Sequence, residues 1–290
     1  MNCSVLSEAE RNALLGEVSD KGLKNIDAAA RETVYGDLSL NEFEKRVDSL
    51  AAYGLKEEGA YLAVLVKALG YLGDEYKNRG LNEEIFYYVS ADVRRKANEY
   101  AAVYHDVGLM KGAATWLYDY FKFNRVAYEN LQFDVNSIAI NDYDGAINVK
   151  TGDKIPYVHI PSGADLTPCS VLKTFTKFYC DYPEFIKSGG VMPIACCSYL
   201  LYPEYYPLYK ANGNLQKFVD LFNVYDIEKR EHFEDGWRVF NKVATEYSAD
   251  LPETTSLQRS FKEYMKAGKP HGVGWGMLIF NGSKVIKEKI

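Results

Sequence analysis

The residues best placed to do chemistry lie between Ile155 and Pro168. Tyr157 to Ile160 suits a pleated, mostly buried strand. Ser162, Gly163 and Ala164 then let the backbone turn sharply and let a ligand approach it closely. Thr167 followed by Pro168 is a good N-cap and first-turn pair for a helix. A strand that passes through a small-residue turn into a helix N-terminus gathers unpaired N–H groups, and such a place favours anions such as phosphate. Asp165 has the wrong charge for a phosphate contact and reads better as a cap of the following helix. His159, near the strand's end, can accept a proton near neutral pH. A lone histidine in a strand is also commonly a hydrogen-bonded structural residue, and both readings stand at this point.

A second group lies in the apolar run Val191–Leu201. Cys196 and Cys197 are adjacent in a predicted strand, so their side chains face opposite ways and one of them could approach His159. A Cys–His pair is one route to an activated nucleophile, although buried strand cysteines are usually inert. The glycine-rich stretch from Lys269 to Gly276 does not follow a strand and open a helix, so it reads as a last strand with close backbone approaches rather than a nucleotide loop. Arg259 stands in the first turn of a capped helix, where it could reach a phosphate or a neighbouring carboxylate, the second being the better reading.

The chain has 290 residues, 47% of them hydrophobic and 14% aromatic, enough for one large or two ordinary cores. Its net charge is −6, without a basic run, which argues against nucleic acid as the main partner. Met1 to Leu6 lacks the basic start and apolar core of a signal peptide. The most apolar run, Ala60 to Leu72, contains Lys67 and is shorter than the roughly 20 residues of a membrane span; it predicts a buried helix. These features lead us to expect a soluble, cytoplasmic protein. Five cysteines at irregular spacing make no disulfide framework. Without a CxxC pair, and with four histidines, no metal site is expected.

Residues 1–125 predict a helical domain. Ser39 to Glu42 is a capping box, followed by an apolar stripe of Leu40, Phe43, Val47 and Leu50, with Gly54 as a stop. A second helix is expected from Lys56 to Leu72, ended by Gly73, a third after the cap Asn82, and a fourth from Met110 to Phe123. The stretch before Ser39 gives a weaker helical signal. Residues 126–290 change pattern. Leu131 to Val135 alternates as a strand with one wet face; with Ala146–Val149 and Tyr157–Ile160 it is expected to form an antiparallel meander. A helix over Pro168–Tyr182 would pack through Val171, Leu172, Phe175, Phe178 and Tyr179. The run Val191–Leu201 suits a buried mid-sheet strand. Partial helix over Pro203–Phe222, a strand over Val224–Phe233, a helix capped by Thr255 and Gln258, and a strand over Gly272–Phe280 complete the order. The fold class is α+β: a helical N-terminal domain and a mixed sheet flanked by helices.

That order is similar to the acyl-CoA N-acyltransferase fold, the GNAT fold. His159-Ile160-Pro161-Ser162-Gly163-Ala164-Asp165-Leu166, Cys196 to Leu201 and Thr255 to Arg259 resemble a group of acyltransferases that pair a helical N-acyltransferase N-terminal domain with a GNAT-like C-terminal domain. Arg125 and Leu131-Gln132-Phe133 resemble the junction between the two. The resemblance implies an N-acyltransferase that moves an acyl group from acyl-CoA, or from an acyl carrier protein, to a small-molecule amine by direct attack on the thioester. It implies that the strands Tyr157–Ile160 and Val191–Leu201 splay apart to admit the thioester. It implies CoA contacts from His159, Ile160, Ser162, Gly163, Ala164, Asp165 and Ser198, and candidate catalytic roles for His159, Tyr202 and Glu204, with a tyrosine protonating the leaving thiolate. The helical domain would form one wall of the acceptor or acyl pocket. The chain departs from the family pattern in two places. The Gln/Arg-x-x-Gly-x-Gly/Ala pyrophosphate loop is replaced by Ser162-Gly163-Ala164, and Cys197 and Tyr199 stand at positions that are often His and Trp. A non-catalytic module that binds a pantetheine thioester or small ligand is the alternative reading.

Overall fold

The computed structural model describes residues 5–286 and divides into two compact units, Met1–Tyr128 and Glu129–Ile290. In the first unit six helices follow one another: α1 (Glu8–Leu15), α2 (Asp20–Tyr35), α3 (Leu40–Asp48), α4 (Glu57–Asn78), α5 (Glu83–Tyr104) and α6 (Lys111–Phe121), then the short strand β1 (Arg125–Ala127). The expected caps are present: the Ser39 hydroxyl receives the Glu42 N–H, and the Asn82 side chain receives the Glu84 N–H. The weak region before Ser39 holds α1 and α2, each started by a serine cap. Helix α4 is the centre of this unit, with Ala60 to Leu65 all buried, as a helix enclosed on every side requires. It does not stop at Gly73. One glycine costs only about 1 kcal/mol in a helix, and here its missing Cβ makes room for the Phe86 ring of α5: a Cβ would lie 2.9 Å from Phe86 Cζ. Helices α1, α2, α4 and α5 border a groove of about 1280 Å³, with Ile26, Leu69 and Phe86 among its lining.

The second unit is built on a mixed sheet. Its strands are β2 (Gln132–Asp134), β5 (Tyr157–His159), β6 (Met192–Ser198), β8 (His271–Phe280) and β7 (Asn223–Arg230), in that spatial order, with β9 (Val285–Ile286) on β8. The strands β3 (Tyr143–Asp144) and β4 (Asn148–Val149) pair only with each other, as a small separate hairpin. The expected three-strand meander is therefore corrected: β2 pairs directly with β5, antiparallel, and the chain between them folds as the hairpin over one sheet face. Helix α7 (Pro168–Asp181) packs on the other face through Val171, Thr174, Phe175 and Phe178, while Leu172 is exposed. Both faces of β2 are thus occupied, and Leu131, Gln132 and Phe133 are all buried where alternation predicted a wet side. Strand β6 lies mid-sheet, as its apolar run predicted, paired with β8 along all seven residues. Helices α8 (Asn214–Val219), α9 (Gly236–Phe240) and α10 (Ser256–Lys266) complete the unit, α10 with the Thr255–Gln258 capping box. Among the described residues no helix is long and apolar enough to cross a membrane.

Candidate active site

Strand pairing defines the two sheet faces. Asp134 stands opposite Tyr157, Phe133 opposite Val158, and Gln132 opposite His159. Side chains two apart share a face, so Gln132, Asp134, Tyr157 and His159 lie on one side, and Phe133 and Val158 on the other. The Phe133 ring stacks on Phe178 of α7 at 3.9 Å, which fixes the α7 side. Tyr157 joins the core beneath the hairpin with Ala195, Met277 and Ile279, and its ring meets Trp275 edge-on at 6.3 Å, which fixes the hairpin side.

Strands β5 and β6 run parallel and share one paired position, Tyr157 opposite Ala195, with the Ala195 N–H donating to the Pro156 carbonyl at 3.0 Å. Beyond it their partners diverge. Val158 and His159 remain paired with β2, while Cys196, Cys197 and Ser198 remain paired with Gly276, Trp275 and Gly274 of β8. Among the described residues the C-terminal ends of β5 and β6 are thus joined outward and not to each other. This is the parting of strands that the sequence resemblance implied.

His159 does not stand alone. Its Nε2 lies 2.7 Å from Asp134 Oδ2, a diagonal cross-strand pair in which each side chain is 19% exposed. A carboxylate there holds the ring in one orientation. Asp134 was not legible from the chain alone, because 25 residues separate it from His159 and only the β2–β5 register brings them together.

After β5 the chain makes a tight turn at Pro161–Ala164. The Ala164 N–H donates to the Pro161 carbonyl at 3.2 Å, and Gly163 has φ +76°. A Cβ on Gly163 would meet nothing within 4 Å, so the backbone there is open to close approach. Asp165 behaves as the cap. Its carboxylate receives the Thr167 N–H (3.0 Å), the Thr167 hydroxyl (3.1 Å) and the Ser170 hydroxyl (2.5 Å), and its pKa is lowered, first by the Ser170 bond. The Asp165 N–H donates to the Asn130 side chain at 3.3 Å. Two of the amides expected to serve a ligand, those of Ala164 and Asp165, are therefore spent. Those of Ser162 and Gly163 have no partner among the described residues, and they precede the first turn of α7, whose leading amides have no intrahelical acceptor.

The remaining candidates fall elsewhere. Tyr202 is buried on the α7 side of the sheet: a Cβ on Gly272 would lie 2.7 Å from its ring, and one on Gly274 would lie 2.2 Å from the Leu201 carbonyl oxygen. The glycines of β8 are there to admit Leu201 and Tyr202. This corrects the grouping of Tyr202 with His159, since a sheet separates them. Ser198 receives the Leu200 N–H on its hydroxyl at 3.2 Å and so caps a 3₁₀ turn. Glu204 is exposed in the next 3₁₀ segment, Pro203–Leu208. Cys197 does face the His159 side, opposite Trp275, but burial pushes its thiol up to about 12. Cys196 faces the other way, fully buried, with its thiol also pushed up by burial. Neither is a thiolate near neutral pH, so neither has the nucleophilic form. Among phenols, Tyr157 is the one that shares the face of His159 and stands at the point where the strands part. Its oxygen accepts the Ile140 N–H at 3.4 Å, and burial raises its pKa, keeping its proton in place.

The family described as the N-acyltransferase N-terminal domain matches residues 6–123, and the family described as the GNAT-like C-terminal domain matches residues 125–278. No curated protein matches. Among solved structures, an acyltransferase in complex with decanoyl-CoA and teicoplanin superposes with a TM-score of 0.64 at 16% identity, covering 94% of this chain and 84% of that one. An acyltransferase in complex with decanoyl-CoA gives 0.60 at 16% identity over 90% and 84%. A third, in complex with CoA and 10C-teicoplanin, gives 0.64 at 16% over 94% and 84%. At such identities the likeness is one of fold. The family matches, one for each part of the chain, carry the conclusion: this protein belongs to the acyltransferases that join an N-acyltransferase N-terminal domain to a GNAT-like C-terminal domain.

Proposed function

We propose that this N-acyltransferase holds the thioester of acyl-CoA where β5 and β6 part, and that an amine attacks it from the face carrying His159. The divergence of the two strands beyond Tyr157 and Ala195 carries this reading. Unpaired strand edges there offer backbone N–H groups to the thioester carbonyl, and fixed donors at a developing oxyanion are the larger catalytic effect. The Ser162 and Gly163 amides and the α7 N-terminus would receive the diphosphate, which the open approach at Gly163 permits. His159, oriented by Asp134, takes the proton of the attacking amine. In this reading Tyr157, rather than Tyr202, protonates the departing thiolate. The acyl donors of the similar structures, decanoyl-CoA among them, make medium-chain acyl-CoA the first donor to test. An acyl carrier protein presents the same pantetheine arm and is the second.

The test is release of free CoA from acetyl-, octanoyl- and decanoyl-CoA with and without a panel of primary amines, together with intact mass of the protein. Amine-dependent release without a mass increase is expected. A stable acyl adduct removed by Cys197→Ser would replace direct transfer with a thiol route. Tight CoA binding with no turnover on any amine would reduce the chain to a binding module. Running the same assay with an acyl carrier protein ranks the two donors by kcat/KM.

A further inference from the structure

One buried polar group on the reacting face has no partner. Gln132 is 2% exposed, and its side-chain Nε2 finds no hydrogen-bond acceptor among the described residues. Buried amide donors are almost always satisfied, and one left unmade weakens the fold. Gln132 stands directly opposite His159 in the β2–β5 register, on the same face as Asp134. It is therefore next to the imidazole, on the side away from the parting of β5 and β6. Directly opposed residues on one face have Cβ atoms about 4.5–5.5 Å apart, so a small molecule whose amine meets His159 extends over Gln132.

We infer that Gln132 is an acceptor-recognition residue: its amide N–H donates to an uncharged oxygen, a hydroxyl or a carbonyl, that the acceptor carries close to its nucleophilic amine. The side chain is neutral and offers donors in a planar amide, so it suits an uncharged oxygen without demanding the charge of a carboxylate. Asp134, two residues along β2 on the same face, disfavours a second anion at that place. The preferred acceptor class is thus a vicinal amino-alcohol or an amine beside a carbonyl, in preference to a plain alkylamine. A site built to bond a substrate hydroxyl discriminates strongly against the analogue lacking it, because its own polar group is then left unpaired. This rests on the reading that amine attack occurs on the His159 face.

The experiment compares cyclohexylamine with trans-2-aminocyclohexanol, which differ by one hydroxyl, using the full chain, the best acyl-CoA donor, and the variants Gln132→Met and Gln132→Glu. The wild type is expected to favour the amino-alcohol in kcat/KM by about 10–10²-fold, the cost of leaving one buried donor unpaired, mostly through KM. Gln132→Met should erase that preference, keep its thermal stability at or above the wild-type value, and keep its stabilisation by CoA. Gln132→Glu, which removes the donor, should lose the preference as well. Equal use of the two amines by the wild type overturns the inference and leaves acyl transfer standing. So does a Gln132→Met protein that is less stable and loses both amines equally, which makes the residue structural. Absence of amine-dependent CoA release with every donor removes the parent reading and this inference with it.

Discussion

On the side of the C-terminal sheet that α7 covers, Phe133 lies on Phe178 with ring centroids 3.9 Å apart and planes 8° from parallel. Phe175 approaches Phe280 at 5.9 Å, and the β8 glycines are packed so closely that a Cβ on Gly274 would strike the Leu201 carbonyl oxygen at 2.2 Å. On the opposite side, the immediate neighbours of Phe133 are Gln132 and Asp134, which meet a histidine, a tyrosine and open backbone. The same two short strands supply both sides. One side spends these residues on packing, where dense contact fixes a unique arrangement. The other leaves groups unspent: an imidazole held by a carboxylate, a phenol with its proton, an amide without a partner. The first side holds the strands in register so that the second can keep its groups in place without their being consumed by the fold.

The largest expected effect falls on the packed side. Phe178→Ala removes a ring stacked in a closed layer, and such truncations cost about 3–5 kcal/mol. Denaturant unfolding should show that loss, and CoA binding should fall in step with the folded fraction. A Phe178→Ala protein that stays fully stable but stops turning over would break the division between the two sides.

Next comes His159→Gln, which keeps a donor toward Asp134 but cannot take a proton. Loss of general-base help should lower kcat by about 10²–10⁴, with thermal stability and CoA binding close to wild type. The remaining activity should lose the limb of its pH profile that reports the base. A profile unchanged in shape would assign the histidine to structure and leave the strand edges as the main source of rate.

How much of this could be read from the chain depends on the distance over which each signal acts. Caps are local: Ser39 with Glu42, Asn82 with Glu84, and Thr255 with Gln258 were legible because each bond spans two or three residues. The buried run of β6 was legible because a mid-sheet strand needs apolar residues on both sides. The His159–Asp134 pair was not, because nothing within either strand fixes which residue of β2 faces which residue of β5. A slip of one residue would send every side chain to the other face. The same parity hid the separation of Tyr202 from His159. They are connected through a parallel pair and a 3₁₀ turn, and only coordinates show that the turn brings Tyr202 back over the β8 glycines. The hairpin Tyr143–Val149 was mistaken for part of the main sheet because its residues have strand character without saying which strand they join.

A smaller effect sharpens the boundary between fold and ligand. Gly163 sits at φ +76°, where an L-residue costs about 1–2 kcal/mol, yet a Cβ there would touch nothing within 4 Å. Gly163→Ala should therefore lower stability only by that strain, while the added methyl stands where a diphosphate would approach. The stabilisation of the protein by CoA should shrink by more than stability alone explains. If Gly163→Ala binds CoA as tightly as wild type, the diphosphate lies elsewhere.

The smallest effect belongs to a group far from both questions of packing and catalysis. His271 opens β8, 8% exposed, with Nδ1 2.8 Å from the Tyr205 hydroxyl and its ring stacked on Phe233 at 5.3 Å. Burial, and then the nearby His232, lowers its pKa below the ordinary 6.5, so the folded protein holds it neutral. Tyr205 and Tyr264 also pack against it, and neither is a charged partner for an imidazolium near neutral pH, because burial raises both phenols. The unfolded chain takes up the proton first as pH falls through 6.5. Stability should therefore decline from there down to the depressed folded pKa, and be flat above it with respect to this group. His271→Gln should lower overall stability yet flatten that part of the stability-against-pH curve relative to wild type. Identical slopes for the two proteins between pH 7 and the onset of carboxylate titration would mean that the ring is charged, or wet, in the native state.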